Sequence, residues 1–188
     1  MNVDSLVNHY QRIWRDIKEV RRYIFAAIVI FIAGNLAAIL IPSLGERLLS
    51  LFVEYLKTFK YGQKDFLGLL IAIFLQNALS AFFAIVLGFF LGLVPIFGAL
   101  ANGMAMGAVL LLNPFNLFKL LPHGIFELTA IFTAWGLGIW CAGGLFHAPP
   151  VGLRVKRSLN IYLSVIVPLL IIAAIIEVCG IKILYGAK

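Results

Sequence analysis

The chain has 188 residues, 63% of them hydrophobic and 12% charged, with a formal net charge of +7. Soluble domains are about half apolar and a quarter charged, so this composition excludes an ordinary soluble fold. The basic residues flank apolar runs and form no hydrated face, which argues against nucleic acid and for anionic lipid headgroups.

The pattern predicts an all-α, polytopic transmembrane bundle. It is read as a single membrane domain over residues 1–188, with about five spans and two amphipathic interfacial helices. Residues 1–22 form the first amphipathic segment. Leu6, Tyr10, Ile13, Ile17 and Val20 recur at helical spacing, opposite Gln11, Arg12, Arg15, Lys18 and Glu19. Such a helix lies on the membrane or against a partner helix. Residues 23–41 form the first span, about 28 Å long, and Pro42 ends it. The polar segment ahead of that run is unlike a cleavable signal, so the run is expected to stay as an anchor.

Residues 46–60 are amphipathic again. Leu48, Phe52, Tyr55 and Phe59 lie on one side, with Glu46, Arg47, Ser50, Glu54 and Lys57 on the other. Tyr61-Gly62-Gln63 breaks this helix. Residues 66–112 then carry no charge. As one helix they would reach ~70 Å, more than twice the bilayer core. A break at Gly92-Leu93-Val94-Pro95 therefore divides them into spans 66–93 and 95–112. Asn113-Pro114-Phe115-Asn116 reads as a turn, and Pro122 suits the first position of the next helix. The fourth span is 124–146, stopped by Ala148-Pro149-Pro150; a basic loop holding Arg154, Lys156 and Arg157 leads to the fifth, 161–179. Five basic residues precede Tyr23 and three occupy the Arg154 loop, which favours a cytoplasmic N-terminus.

Within the spans, Gly88 and Gly92, and Gly103 and Gly107, have the GxxxG spacing that lets helix backbones approach closely. They serve either packing within the chain or a homo-oligomer seam. Asn35, Gln76, Asn77, Ser80 and Asn102 are polar side chains that need partners in lipid. Gln76, Asn77 and Asn102 are either structural hydrogen-bonding groups or the lining of a polar cleft. The acids Glu127 and Glu177 are the charged residues inside the last two apolar runs. Burying an acid in a bilayer is costly. His123 and Glu127, at i and i+4, share a helix face. The topology puts both at the same membrane rim as Glu177.

This group reads as a structural clasp, as a proton or ion site, or as a metal site. One imidazole and two carboxylates can ligate zinc. HExxH pairing and an accompanying nucleophile are absent from the sequence, as are phosphate loops and GxSxG elbows. The expectation is therefore of no enzyme, no catalytic residues, no cofactor and no resident metal. Cys141 and Cys179 lack CxxC spacing and read as small core residues at opposite ends of their spans.

The stretch Leu121-Pro122-His123-Gly124-Ile125-Phe126-Glu127-Leu128, followed by Ala130-Ile131-Phe132, resembles the hallmark of the stage II sporulation protein M family. Gln76-Asn77, Asn102-Gly103 with Gly107, and Glu177 extend the resemblance, with Gln76 where the family pattern has asparagine. The resemblance implies a helical membrane protein. The family's namesake belongs to a membrane complex with peptidoglycan-degrading enzymes during engulfment, and it holds partners rather than doing chemistry. The leading expectation is thus a non-enzymatic scaffold or anchor in the cell membrane, with the lipid bilayer and other membrane or envelope proteins as partners. A transporter or channel-like subunit is the alternative, and an intramembrane metal enzyme comes third.

Overall fold

A computed structural model describes residues 3–58, 65–112 and 115–185. Among these, every regular element is helical: α1 (Val3–Leu40), α2 (Pro42–Thr58), α3 (Phe66–Val86), α4 (Leu93–Leu112), α5 (Asn116–Ala142), α6 (Val151–Ile161) and α7 (Val167–Tyr185). Short 3-10 turns follow α3 and α5, and a π-helical segment joins α6 to α7. Five helices are long and apolar enough to cross a membrane. The break expected at Tyr61-Gly62-Gln63, the turn at Asn113-Pro114 and the side chains of Phe52, Tyr55 and Phe59 lie outside the described residues.

The amphipathic segment and the first span are one continuous helix. Its buried seam runs through Ile13, Val20, Ala27 and Gly34, joined by Phe31 and Ala38. A seven-residue repeat of this kind keeps one face of a helix against its neighbours, so the change from polar to apolar surroundings leaves the seam intact. The N-terminal half does not depend on a partner helix from elsewhere, because α6 and the π segment supply one. Arg157 of α6 forms ion pairs with Asp16 and Glu19, and His9 hydrogen-bonds Ser164 at 2.9 Å.

Helix α5 is the hub, in contact with α1, α3, α4, α6 and α7. Residues 133–138 are buried on every side. Glycines allow this closeness. A Cβ on Gly88 would run into the backbone of Gly138, one on Gly103 into Phe31, and one on Gly107 into Asn35 and Ala38. Three of the four GxxxG glycines are therefore committed to contacts within the chain. The fourth, Gly92, serves the turn between α3 and α4 with φ of 71°, a left-handed conformation that glycine adopts without steric cost. The reversal falls at residues 90–92, ahead of Pro95, which sits in the first turn of α4. No i−4 hydrogen bond is lost there, so proline is tolerated.

Two further boundaries differ from expectation. Helix α5 starts at Asn116, which puts Pro122 inside the helix rather than at its first position. The basic loop is not a loop: Arg154, Lys156 and Arg157 are helical in α6. Arg154 is only 4% exposed. It donates from Nε to the Pro149 carbonyl (2.8 Å), from Nη1 to Trp140 (2.5 Å), and from Nη2 to His147 and Ala148 (both 3.2 Å). These acceptors lie at and just beyond the end of α5, where a helix leaves carbonyls without intrahelical donors. A guanidinium, with five N–H donors in a fixed fork, can serve several at once. The Arg154 and Arg157 guanidiniums also lie 5.0 and 5.1 Å from the Trp140 ring centroid, within cation–π range.

Two outcomes follow for stability in detergent. Arg154→Met leaves four carbonyls without their donor and should lower unfolding free energy by about 3 kcal/mol. Arg154→Lys should recover only part of this, read by denaturation followed by size exclusion. Gly88→Val should cost about 1–3 kcal/mol through overpacking. Gly124→Ala, where an added Cβ meets nothing within 4 Å, should stay within about 1 kcal/mol of the parent.

Candidate functional site

At one rim the bundle opens into a cleft of about 730 Å³. Its lining comes from within residues 69–80 of α3, 102–109 of α4 and 121–135 of α5, from Glu177 and Ile181 of α7, and from α2. Pro42 starts α2 directly after the bend at Ile41, as proline at a first helical position does. Gly45 then brings α2 close to Ala38 and Ala108. As a result Leu49 and Val53 of α2 form part of the cleft wall. The deep end is aromatic. Phe31 lies edge-on to Phe132 at 5.1 Å and stacks with Trp135 at 6.3 Å.

Gln76, Asn77, Asn102, His123, Glu127 and Glu177, the six residues grouped from the sequence as a polar cluster, line this cleft together with Ser80, whereas Asn35 is not among its lining residues. One ligand atom from each of His123, Glu127 and Glu177 lies within 4.8 Å of the other two. His123 and Glu127 project from one face of α5, one turn apart, and Glu177 approaches from α7. All three are half-buried. Asn77 of α3 hydrogen-bonds Glu127, so three helices meet at this group. Glu127 and Glu177 are close enough to repel each other.

Asn102 behaves differently. Its side-chain amide donates to the Gly98 carbonyl of its own helix at 2.8 Å, although it borders the cleft. Thr129 bonds the Ile125 carbonyl in the same way at 2.6 Å. These local bonds satisfy polar groups on helices facing an apolar medium. The four packing glycines lie apart from the three-residue group, in helix contacts and the α3–α4 turn.

Sequence reasoning missed Leu49, Val53, Phe31, Phe132 and Trp135 as cleft residues. Their signal is plain hydrophobicity, which does not separate a cleft wall from a lipid face. Arg154 was legible only as a topology signal, because a basic residue after an apolar run usually faces headgroups.

The cleft is closed away from its rim. There α3 and α5 meet backbone to backbone at Gly88 and Gly138, with Pro95 and Leu137 fully buried beside them. Arg154 fills the space beneath Trp140. The arrangement is a cleft with a polar group in an otherwise oily wall. Binding sites commonly combine an apolar lining with a few converging polar groups, in volumes of about 300–1,000 Å³.

The family profile described as stage II sporulation protein M matches residues 25–179. No curated protein and no solved structure matches the chain.

The repulsion and the hydrogen bond make opposite predictions for two conservative changes. Glu177→Gln removes one of two buried acids that face each other and should raise the melting midpoint of the purified protein, a gain of about 1 kcal/mol. Asn77→Ala removes a partner of Glu127 and should cost about 1.5–3 kcal/mol. Thermal scans at fixed pH and salt compare both with the parent.

Proposed function

Because the chain belongs to the stage II sporulation protein M family of helical membrane proteins, we propose that it is a non-enzymatic binding subunit of the cell membrane that receives a ligand through one rim. The cleft holding His123, Glu127 and Glu177 carries this reading. Ionisable groups inside a membrane protein are costly and usually mark a ligand or ion pathway. Here they meet in a space large enough for a ligand. The seal at Gly88 and Gly138 favours a receptacle over a channel. With the N-terminus cytoplasmic, as the basic flanks predict, the cleft opens to the outside.

Anchoring of partners is the second reading, and one observation favours it. Val7, Tyr10 and Trp14 on the N-terminal half of α1 are 49%, 54% and 59% exposed, along the flank of the Ile13–Val20 seam. Such a stripe at spacing three and four suits an apolar groove of another helix or a headgroup layer. The two roles are compatible, since the stripe and the cleft occupy different regions of the chain.

One labelling experiment tests the receptacle. Asn102→Cys, Ser43→Cys and His147→Cys are placed singly in a Cys179→Ser background and treated with an impermeant maleimide in sealed vesicles of both orientations. Asn102→Cys and Ser43→Cys should react from one face and His147→Cys from the other. Reaction of Asn102→Cys from both faces would establish a channel and overturn the receptacle; no reaction from either would show that water does not enter the cleft. If Ser43→Cys reacts from the cytoplasmic side, the orientation is reversed.

A further inference from the structure

The three-residue group has a composition that a merely polar cleft does not require. It offers one imidazole nitrogen and two carboxylates, from two helices, with ligand atoms within 4.8 Å of one another. Starting from the reading of the cleft as a binding site, we propose that His123, Glu127 and Glu177 bind a single divalent transition-metal ion of the zinc class.

Charge is the first argument. Two carboxylates and a neutral imidazole carry a formal charge of −2, which a divalent ion cancels. Cancellation matters most where water is scarce and an unpaired charge is most costly. Donor type is the second. Imidazole with carboxylates suits zinc and its neighbours, whereas calcium wants six to eight oxygens and magnesium keeps most of its waters.

Geometry is the third argument. Metal–ligand bonds of about 2.0–2.1 Å in a tetrahedron put ligand atoms about 3.4 Å apart. The observed limit of 4.8 Å is therefore an open form of the site. Closing it takes roughly 1 Å of movement, within reach of side-chain rotation on helices already in contact. The i and i+4 pair on α5 fixes two ligands on one rigid face, and α7 supplies the third. Helical bundles build metal sites in this way, from inward-projecting side chains on facing helices.

The surroundings fit as well. Asn77 hydrogen-bonds Glu127, the kind of support that orients a ligating carboxylate. Three protein ligands leave a fourth position for water or an incoming group. The group borders the cleft, whose wall also includes Gln76 and Ser80.

The test uses the full chain in detergent, stripped with a chelator and titrated with zinc chloride. Bound metal is counted by mass spectrometry and affinity is measured by calorimetry. The expected result is one zinc per chain at micromolar free metal, with a melting midpoint that rises with zinc concentration. His123→Ala and Glu177→Gln should each weaken binding by on the order of 100-fold or more, and Asn77→Ala by roughly 10-fold. His147→Ala, which changes an exposed histidine outside the cleft, should bind like the parent. Glu177→Gln keeps the side-chain volume, so its loss of binding in a protein that still elutes as a single species is not a folding failure.

Absence of zinc from the parent, or binding unchanged in both His123→Ala and Glu177→Gln, overturns the proposal. The Asn102→Cys labelling separates the two readings. A labelled cleft without zinc sinks the metal and leaves the receptacle. Zinc bound in a cleft that does not label sinks the receptacle and leaves the metal.

Discussion

A bilayer offers no water to the ends of helices, so each end must find donors or acceptors within the protein. The end of α5 illustrates how much depends on this. It is the helix around which the others pack, and the chain leaves it through a 3-10 turn and the Ala148-Pro149-Pro150 segment. Arg154 gathers the carbonyls of Trp140, His147, Ala148 and Pro149 around one guanidinium. That fixes where α5 stops and where α6 begins. The position of α5 in turn sets the Gly88–Gly138 contact with α3 and the direction of its other end, where His123 and Glu127 stand.

Two kinds of packing divide the molecule. Near Arg154 the helices touch backbone to backbone, with small residues where they meet. Near the other rim α1 and α4 also meet closely at Gly103 and Gly107, but the aromatic group of Phe31, Phe132 and Trp135 stands between α1 and α5. The cleft lies in the second region. The glycine contacts position the helices, and the bulkier side chains leave room between α3, α5 and α7. In that room, polar side chains from α3, α5 and α7 meet one another instead of the acyl chains.

Much of this is legible in the sequence because lipid imposes simple rules. An uncharged run too long for one crossing must turn back, and residues 66–112 do so. An acid in an apolar run must face the bundle, and Glu127 and Glu177 do. The shared rim of these acids follows from counting crossings. Other features escape the same rules. The join between the amphipathic segment and the first span is invisible to polarity, because the Ile13–Val20–Ala27–Gly34 seam crosses a change of surroundings rather than of helix. Arg154 looks like any flanking cation until the carbonyls around it are known. Pro122 is read as a helix start because its missing N–H is harmless there, yet tertiary packing carries the helix through it. The cleft walls escape for a further reason: Leu49 and Trp135 have the same chemistry whether they face a cavity or a lipid.

The π-helical segment, Tyr162–Ile166, precedes Pro168. Proline has no N–H for the carbonyl four residues earlier and its ring presses against it, and a widened turn relieves both problems. A widened turn of this type holds one residue more than an α-helical turn. Each residue turns a helix by about 100°, so the surplus residue rotates the azimuth of everything downstream. Glu177 is downstream. Its heading toward α5 is thus inherited from an imino acid more than two turns away, and the span between them transmits that rotation like a shaft.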